Sequence, residues 1–192
     1  MRYSGVRYVA VWSVLVGLLA LPIPAQAQAR ESHYQGRTVA EWQGDLEKRP
    51  LEVRQQAAQA LAHFGPVAVP ALAQALGDLD VRVRQAAAWV LGTFGLAAEV
   101  AVPELIRALR DPNNVVRADA ASALTAIGPA AEDAAVALAL VAQGAHTYVG
   151  GNVLSALRAI GPAAIPELQK EAESDPELRP LLEAAIRLLG NP

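Results

Sequence analysis

Cysteine is absent from the 192 residues. Its absence excludes disulfides, thiolate metal ligands and cysteine nucleophiles, and it also excludes lipid attachment at a cysteine behind an apolar leader. Charge is scarce: charged residues make up 18% of the chain against 53% hydrophobic ones, with a net charge of −3. That balance supplies a core and is far from the composition of disordered chains. It also argues against nucleic acid, which is held mainly by basic side chains that neutralise phosphates. Aromatic residues reach only 5%. The three histidines, His33, His63 and His146, lie far apart in the chain.

The first thirty residues differ from the rest. Arg2 and Arg7 come first, followed by the apolar run "VAVWSVLVGLLAL" (Val9 to Leu21) and then "PIPAQA". Positive, apolar, then small-x-small at Ala25-Gln26-Ala27 is the layout of a secretory signal peptide. Pro22 and Pro24 cut the run short of the roughly 20 apolar residues that a spanning helix needs. The reading is a signal peptide over 1–27, with Ala27-Gln28-Ala29 as a second cleavage site, and a short linker over 28–36. Losing Arg2 and Arg7 takes the net charge from −3 to −5, which suits neither nucleic acid nor an anionic membrane surface. The chain is expected in the periplasm or outside the cell, touching membrane only transiently through its leader. An uncleaved leader acting as an anchor is the alternative.

The rest of the chain is repetitive. Five segments share one pattern: "VRQQAAQALAHFG" (from Val53), "VRQAAAWVLGTFG" (Val83), "VRADAASALTAIG" (Val116), "VGGNVLSALRAIG" (Val149) and "LRPLLEAAIRLLG" (Leu178). Their closing glycines, Gly65, Gly95, Gly128, Gly161 and Gly190, are spaced 30, 33, 33 and 29 apart. In the second copy Val83, Ala87, Val90, Leu91 and Phe94 fall on one helical face. The glycine is expected to cap the helix in the left-handed conformation. Pro66, Pro129 and Pro162 then forbid continuation. Another helix precedes each segment and is the first of its pair, as in "VAVPALAQAL" (Val67 to Leu76), "VAVPELIRAL" (Val100 to Leu109) and "AAIPELQKEA" (Ala163 to Ala172). "TVAEWQGDL" (Thr38 to Leu46) and "DAAVALALVA" (Asp133 to Ala142) fit the same frame. One apolar column runs Trp42, Leu72, Leu105, Leu138, Leu168.

The expected fold is therefore all-α. It is an α-solenoid, or α/α superhelix, of about five helix pairs over 37–190, with repeats at about 37–65, 66–95, 96–128, 129–161 and 162–190. A single pair cannot bury its apolar face, and stacking gives the pairs a continuous core.

The frame "VPELIRALRDPNNVVRADAASALTAIGPAA" resembles a HEAT repeat, in particular the short bacterial type named after phycobilisome lyases. The resemblance covers about Arg37 to Gly190. It implies a ladder of hydrogen bonds along the stack, made by an aspartate between the helices and an arginine opening the second helix. Asp78/Arg84 and Asp111/Arg117 match that pair at a separation of six, and Arg54 and Arg179 match the arginine alone. The fourth copy has Gly144 and Gly150 at the two positions. An anion-binding row of arginines is the competing reading, and the aspartates written into the same repeats favour the structural one.

The resemblance also implies that the second helices line the concave side. There one column reads Gln59, Trp89, Ser122, Ser155, Ala184, and another reads Gln56, Ala86, Asp119, Asn152, Leu181. Ala62/His63, Thr93, Thr125 and Arg158 lie farther along. The binding candidates are Gln56, Gln59, Trp89, Asp119, Ser122, Asn152, Ser155 and Arg158. Trp89 carries two readings. Tryptophan is a frequent interface anchor, and indoles are usually buried by packing in monomers. In "QGAHTYVGGNV" (Gln143 to Val153), Gly150 and Gly151 weaken a helix start, which reads either as a joint or ligand loop or as drift in a tolerant turn. Glu104/Arg107 and Glu167/Lys170 read as pairs on a solvated outer face.

No catalytic constellation is visible. Iron-binding HEAT proteins such as the deoxyhypusine hydroxylases use His-Glu pairs. Here His63 precedes Phe64 and His146 precedes Thr147. Phycobilisome lyases act on cytosolic antenna proteins, which sits poorly with a leader peptide. The expectation is a monomeric interaction scaffold for an unidentified protein or peptide, with no enzyme activity, metal or cofactor. A lyase-like or oxidoreductase-like enzyme is the alternative.

Overall fold

The computed structural model describes residues 33–48, 50–144 and 147–190. The leader over 1–27, its two cleavage sites and His146 lie outside the described residues, and so does the side chain of Tyr148.

The described chain opens with a small antiparallel hairpin. Strand β1 (His33–Tyr34) pairs with β2 (Arg37–Thr38), with His33 opposite Thr38. Gln35 and Gly36 both have positive φ, at 53° and 74°, which makes the tight turn possible. The sequence alone suggests a linker over 28–36; the structure puts β1 and the turn there.

Helices then come in pairs. They are α1 (Val39–Leu46) with α2 (Leu51–Ala60), α3 (Val69–Ala75) with α4 (Val81–Phe94), α5 (Val102–Ala108) with α6 (Asn114–Ile127), α7 (Ala135–Gly144) with α8 (Thr147–Ile160), and α9 (Ile165–Ser174) with α10 (Arg179–Gly190). Thr38 caps α1 in a reciprocal box with Glu41, which satisfies two orphan N–H groups. Asp80 and Asn113 cap α4 and α6 through their side chains. Pro70, Pro103 and Pro166 sit in the first turn of α3, α5 and α9, where the missing N–H costs nothing.

The glycines do end the second helices, with a different geometry from the one expected. Gly65, Gly95 and Gly128 have φ of 67°, 55° and 72°, and ψ of −151°, −133° and −138°. This is the extended positive-φ region open essentially to glycine alone, not the left-handed helical one. The chain therefore leaves the helix in an extended step and continues in a short 3₁₀ segment, which Pro66, Pro129 and Pro162 start well. Gly190 departs from the pattern. It is the last residue of α10 and has no positive φ.

The core runs the length of the stack. Trp42 is 2% exposed, and Leu72, Leu105, Leu138 and Leu168 are fully buried. From α4, Val83, Ala87, Val90 and Leu91 are fully buried too. Alanine fills the seam between second helices, and Gly92 of α4 comes so close to α6 that a Cβ there would lie 3.4 Å from the Ala123 Cα. The helices α4, α6 and α8 pack against one another along their lengths, whereas α3, α5, α7 and α9 barely touch. A two-layer stack curves toward its tighter layer, so the second helices form the inner face.

Candidate functional site

The aspartate–arginine ladder joins neighbouring repeats. Arg54 donates from Nε and Nη2 to the Asp78 carboxylate at 2.8 and 3.0 Å, and Arg84 does the same to Asp111 at 2.6 and 3.0 Å. Both are bidentate forks, the strongest geometry such a pair can take. Within its own repeat Arg84 reaches only main chain, donating Nη1 to the Asp78 carbonyl at 2.9 Å. This corrects the pairing read from sequence: the carboxylate partner of Arg84 is Asp111, 27 residues on, not Asp78, six residues back. Each aspartate also accepts the N–H two residues later, Asp80 on Asp78 and Asn113 on Asp111, both at 2.8 Å. One carboxylate thus fixes a turn, presents a helix cap and joins two repeats. Burial pushes the Asp111 carboxyl up. The hydrogen bonds from Arg84 and Asn113 and the charges of Arg84 and Arg117 outweigh it and hold the group below its usual range.

The ladder stops at Arg117. The acidic position in the next repeat is Gly144, and Arg117 bonds instead to the Asp111 and Pro112 carbonyls and to the Asn114 side chain. Arg179 donates from Nε to the Ala172 carbonyl at 3.1 Å. These arginines are held by the fold, and the anion-row reading has no support in their geometry.

The inner face presents the residues singled out from sequence. Gln56 and Gln59 are exposed on α2, and Ser155 and Arg158 on α8, with Asn152 half-buried one turn before Ser155. Ser155 donates to the Gly151 carbonyl at 2.9 Å. Ala86, in the same column as Asp119, is buried, and Leu181 is half-buried. Thr93 and Thr125 donate their hydroxyls to helix carbonyls at 2.6 and 2.9 Å. At the N-terminal end His63 stacks on Tyr34, with ring centroids 3.8 Å apart and planes within 10°. The Trp42 indole N–H donates to the Tyr34 carbonyl at 3.2 Å, and Arg37 lies 3.9 Å over the Trp42 ring. His63 therefore belongs to the contact that docks the hairpin.

Among the large apolar side chains of the second helices, Trp89 is the most exposed. It is 59% exposed and lies on the opposite side of α4 from Val83, Ala87, Val90 and Leu91. It borders a cleft of about 220 Å³ between α4 and α6, together with Gly92, Thr93, Asp119, Ser122 and Ala123. The missing side chain of Gly92 and the methyl of Ala123 leave the floor low, and the Trp89 ring forms a wall. Asp119 is half-buried there, and burial pushes its carboxyl above the usual range. Larger crevices of about 660 and 420 Å³ open on the outer face, between α3 and α5 and between α1 and α3. They arise from the splay of the first helices. The outer pairs Arg107–Glu104 and Lys170–Glu167 are exposed. Among the described residues no group of three His, Asp or Glu side chains is placed to hold a metal ion.

Comparison with known proteins agrees with this architecture. Residues 46–125 match the family model described as HEAT repeats. The phycocyanin lyase complex of CpcE and CpcF from Nostoc sp. PCC7120 is similar in structure, with a TM-score of 0.59 and 28% identity over 82% of this chain and 67% of that one. An engineered protein shares the fold with a TM-score of 0.57 and 24% identity over 79% of each chain. No curated protein matches the sequence.

Proposed function

We propose that this chain, a HEAT-repeat stack, is an exported scaffold that holds a protein or peptide along the inner face of α2, α4, α6 and α8. The observation that carries the reading is Trp89. A side chain of that size, 59% exposed at the rim of a cleft in the middle of the stack, forgoes burial that the core elsewhere achieves. Large apolar surface left open beside polar groups is characteristic of interaction sites. The polar neighbours Gln59, Asp119, Ser122 and Ser155 supply orienting contacts on either side. The similar lyase structure is itself a complex of two proteins, which fits a stack that works by holding another chain. Export rests on the leader-like segment over 1–27, and absence of catalysis rests on the lack of an acid–base or nucleophile constellation in the sequence.

The test is a pull-down from a cell-envelope extract, comparing the unaltered chain with Trp89→Ala and with Leu79→Ala. Leu79 is 98% exposed in an inter-helix turn and serves as the control. Loss of captured protein with the first variant and not the second supports the inner face, and equal capture by all three removes it. A second reading, a lyase-like enzyme, is favoured by the 28% identity to the lyase complex. Lyase activity of the purified chain on phycocyanin would establish it.

A further inference from the structure

The cleft beside Trp89 has a chemistry of its own. Asp119 is a half-buried carboxylate, and the only influence that shifts it is burial. Among the described residues no guanidinium or ammonium pairs with it. Arg117, two residues earlier, is turned away and bonded to the Asp111 and Pro112 carbonyls. Three other carboxylates drawn into the stack are each matched by a cation: Asp45 by Arg37 and Lys48, Asp78 by Arg54, Asp111 by Arg84. Asp119 thus stands desolvated and unmatched, next to an indole that is open to solvent. Thr93 and Ser122 border the same cleft, and Thr93 has its proton committed to the Val90 carbonyl, so its oxygen adds acceptor character.

Anionic and π-rich walls facing one small space favour a cation carried on an apolar stem. The stem covers the ring, and the charge lies between the ring face and the carboxylate. We infer that the cleft formed by Trp89, Thr93, Asp119 and Ser122 is a pocket for a lysine or arginine side chain of the bound protein or peptide. The inference rests on the inner-face reading and deepens it: the partner is basic at the residue that enters this cleft. Charge complementarity selects that occupant. An acidic side chain would meet the Asp119 carboxylate, and a purely apolar one would leave that carboxylate unmatched and further desolvated.

The test uses four synthetic peptides of twelve residues in one neutral Gly/Ser/Ala context, differing at a single central position: lysine, arginine, norleucine or glutamate. Binding to the full chain is read from the indole N–H signal of Trp89 in heteronuclear NMR, assigned by its loss in Trp89→Ala. The expected result is that lysine and arginine bind about five- to tenfold more tightly than norleucine, with glutamate weakest. Asp119→Asn brings lysine down to the norleucine level. Ser122→Lys, which places an internal cation one turn from Asp119, has the same effect in a chain whose folding is checked by its helical circular dichroism. Equal binding of lysine and norleucine overturns the cation pocket and leaves the inner-face reading standing. Binding of none of the four peptides, in a chain that still captures a protein through Trp89, also overturns it. If capture itself is independent of Trp89, the broader reading falls as well.

Discussion

Removing the Asp111 carboxylate, by Asp111→Ala, is expected to destabilise the stack by about 2–3 kcal/mol. The magnitude comes from the surroundings of the pair. The side chains of Arg84 and Asp111 are 14% and 7% exposed, and the Nε–Oδ2 contact is 2.6 Å. Exposed ion pairs contribute roughly 0–1 kcal/mol, whereas stranding one member of a fully buried pair costs about 3–5 kcal/mol. Arg84 keeps its bond to the Asp78 carbonyl at 2.9 Å and some access to water, which sets the cost between those limits. The N–H of Asn113 loses its acceptor in the same substitution, adding about 1 kcal/mol of lost turn hydrogen bonding. Urea unfolding followed by circular dichroism reads the change as a shift in midpoint. Glu104→Ala, which removes an exposed pair with Arg107, is the control and should change the unfolding free energy by less than about 0.5 kcal/mol. If Asp111→Ala costs no more than that control, the ladder does not hold the repeats together.

Other consequences are as direct. Asp111 and Asp45 both have carboxyls held below the usual range, the second by the Lys48 and Arg37 contacts. Their folded pKa values lie under the unfolded ones, so their stabilisation is complete above about pH 4 and is lost as pH falls below it; thermal unfolding across pH 2–7 should show Tm dropping only in that acid window. Asp119 has the opposite sign. Its folded pKa is raised by burial, so it costs stability at neutral pH, and Asp119→Asn should raise Tm at pH 7 with the gain fading toward acid. Two glycines give a matched contrast by urea unfolding. Gly128→Ala at φ 72° should cost about 1–3 kcal/mol, while Gly151→Ala, helical with open space at its Cβ, should gain about 0.5–1 kcal/mol.

Periodicity made most of the fold legible. The spacing of Val83, Ala87, Val90 and Leu91 is a local property of one helix, and the same residues are buried. The ladder was legible only by halves. A separation of six within a repeat shows that Asp78 and Arg84 recur together, but the partner across the stack depends on the pitch between repeats, which no local spacing contains. The hairpin was not read because its strands are two residues each, too short for an alternating pattern. Its one signal was the Gln35-Gly36 pair. The glycine geometry escaped for a related reason: sequence shows that positive φ is needed, while ψ is set by the direction of the next helix. Trp89 could not be settled by composition, since a large aromatic on an alanine-rich helix fits packing and docking alike. Its column, polar or small in the other copies, was the useful signal.

The most direct measurement pairs stability and capture in Trp89→Ala. A side chain 59% exposed that serves as an anchor should leave unfolding within about 0.5 kcal/mol of the unaltered chain while abolishing capture of the partner. Leu91→Ala, from the fully buried face of the same helix, should cost about 2–5 kcal/mol. A loss of more than about 2 kcal/mol in Trp89→Ala, with capture intact, would make Trp89 part of the packing and contradict the account.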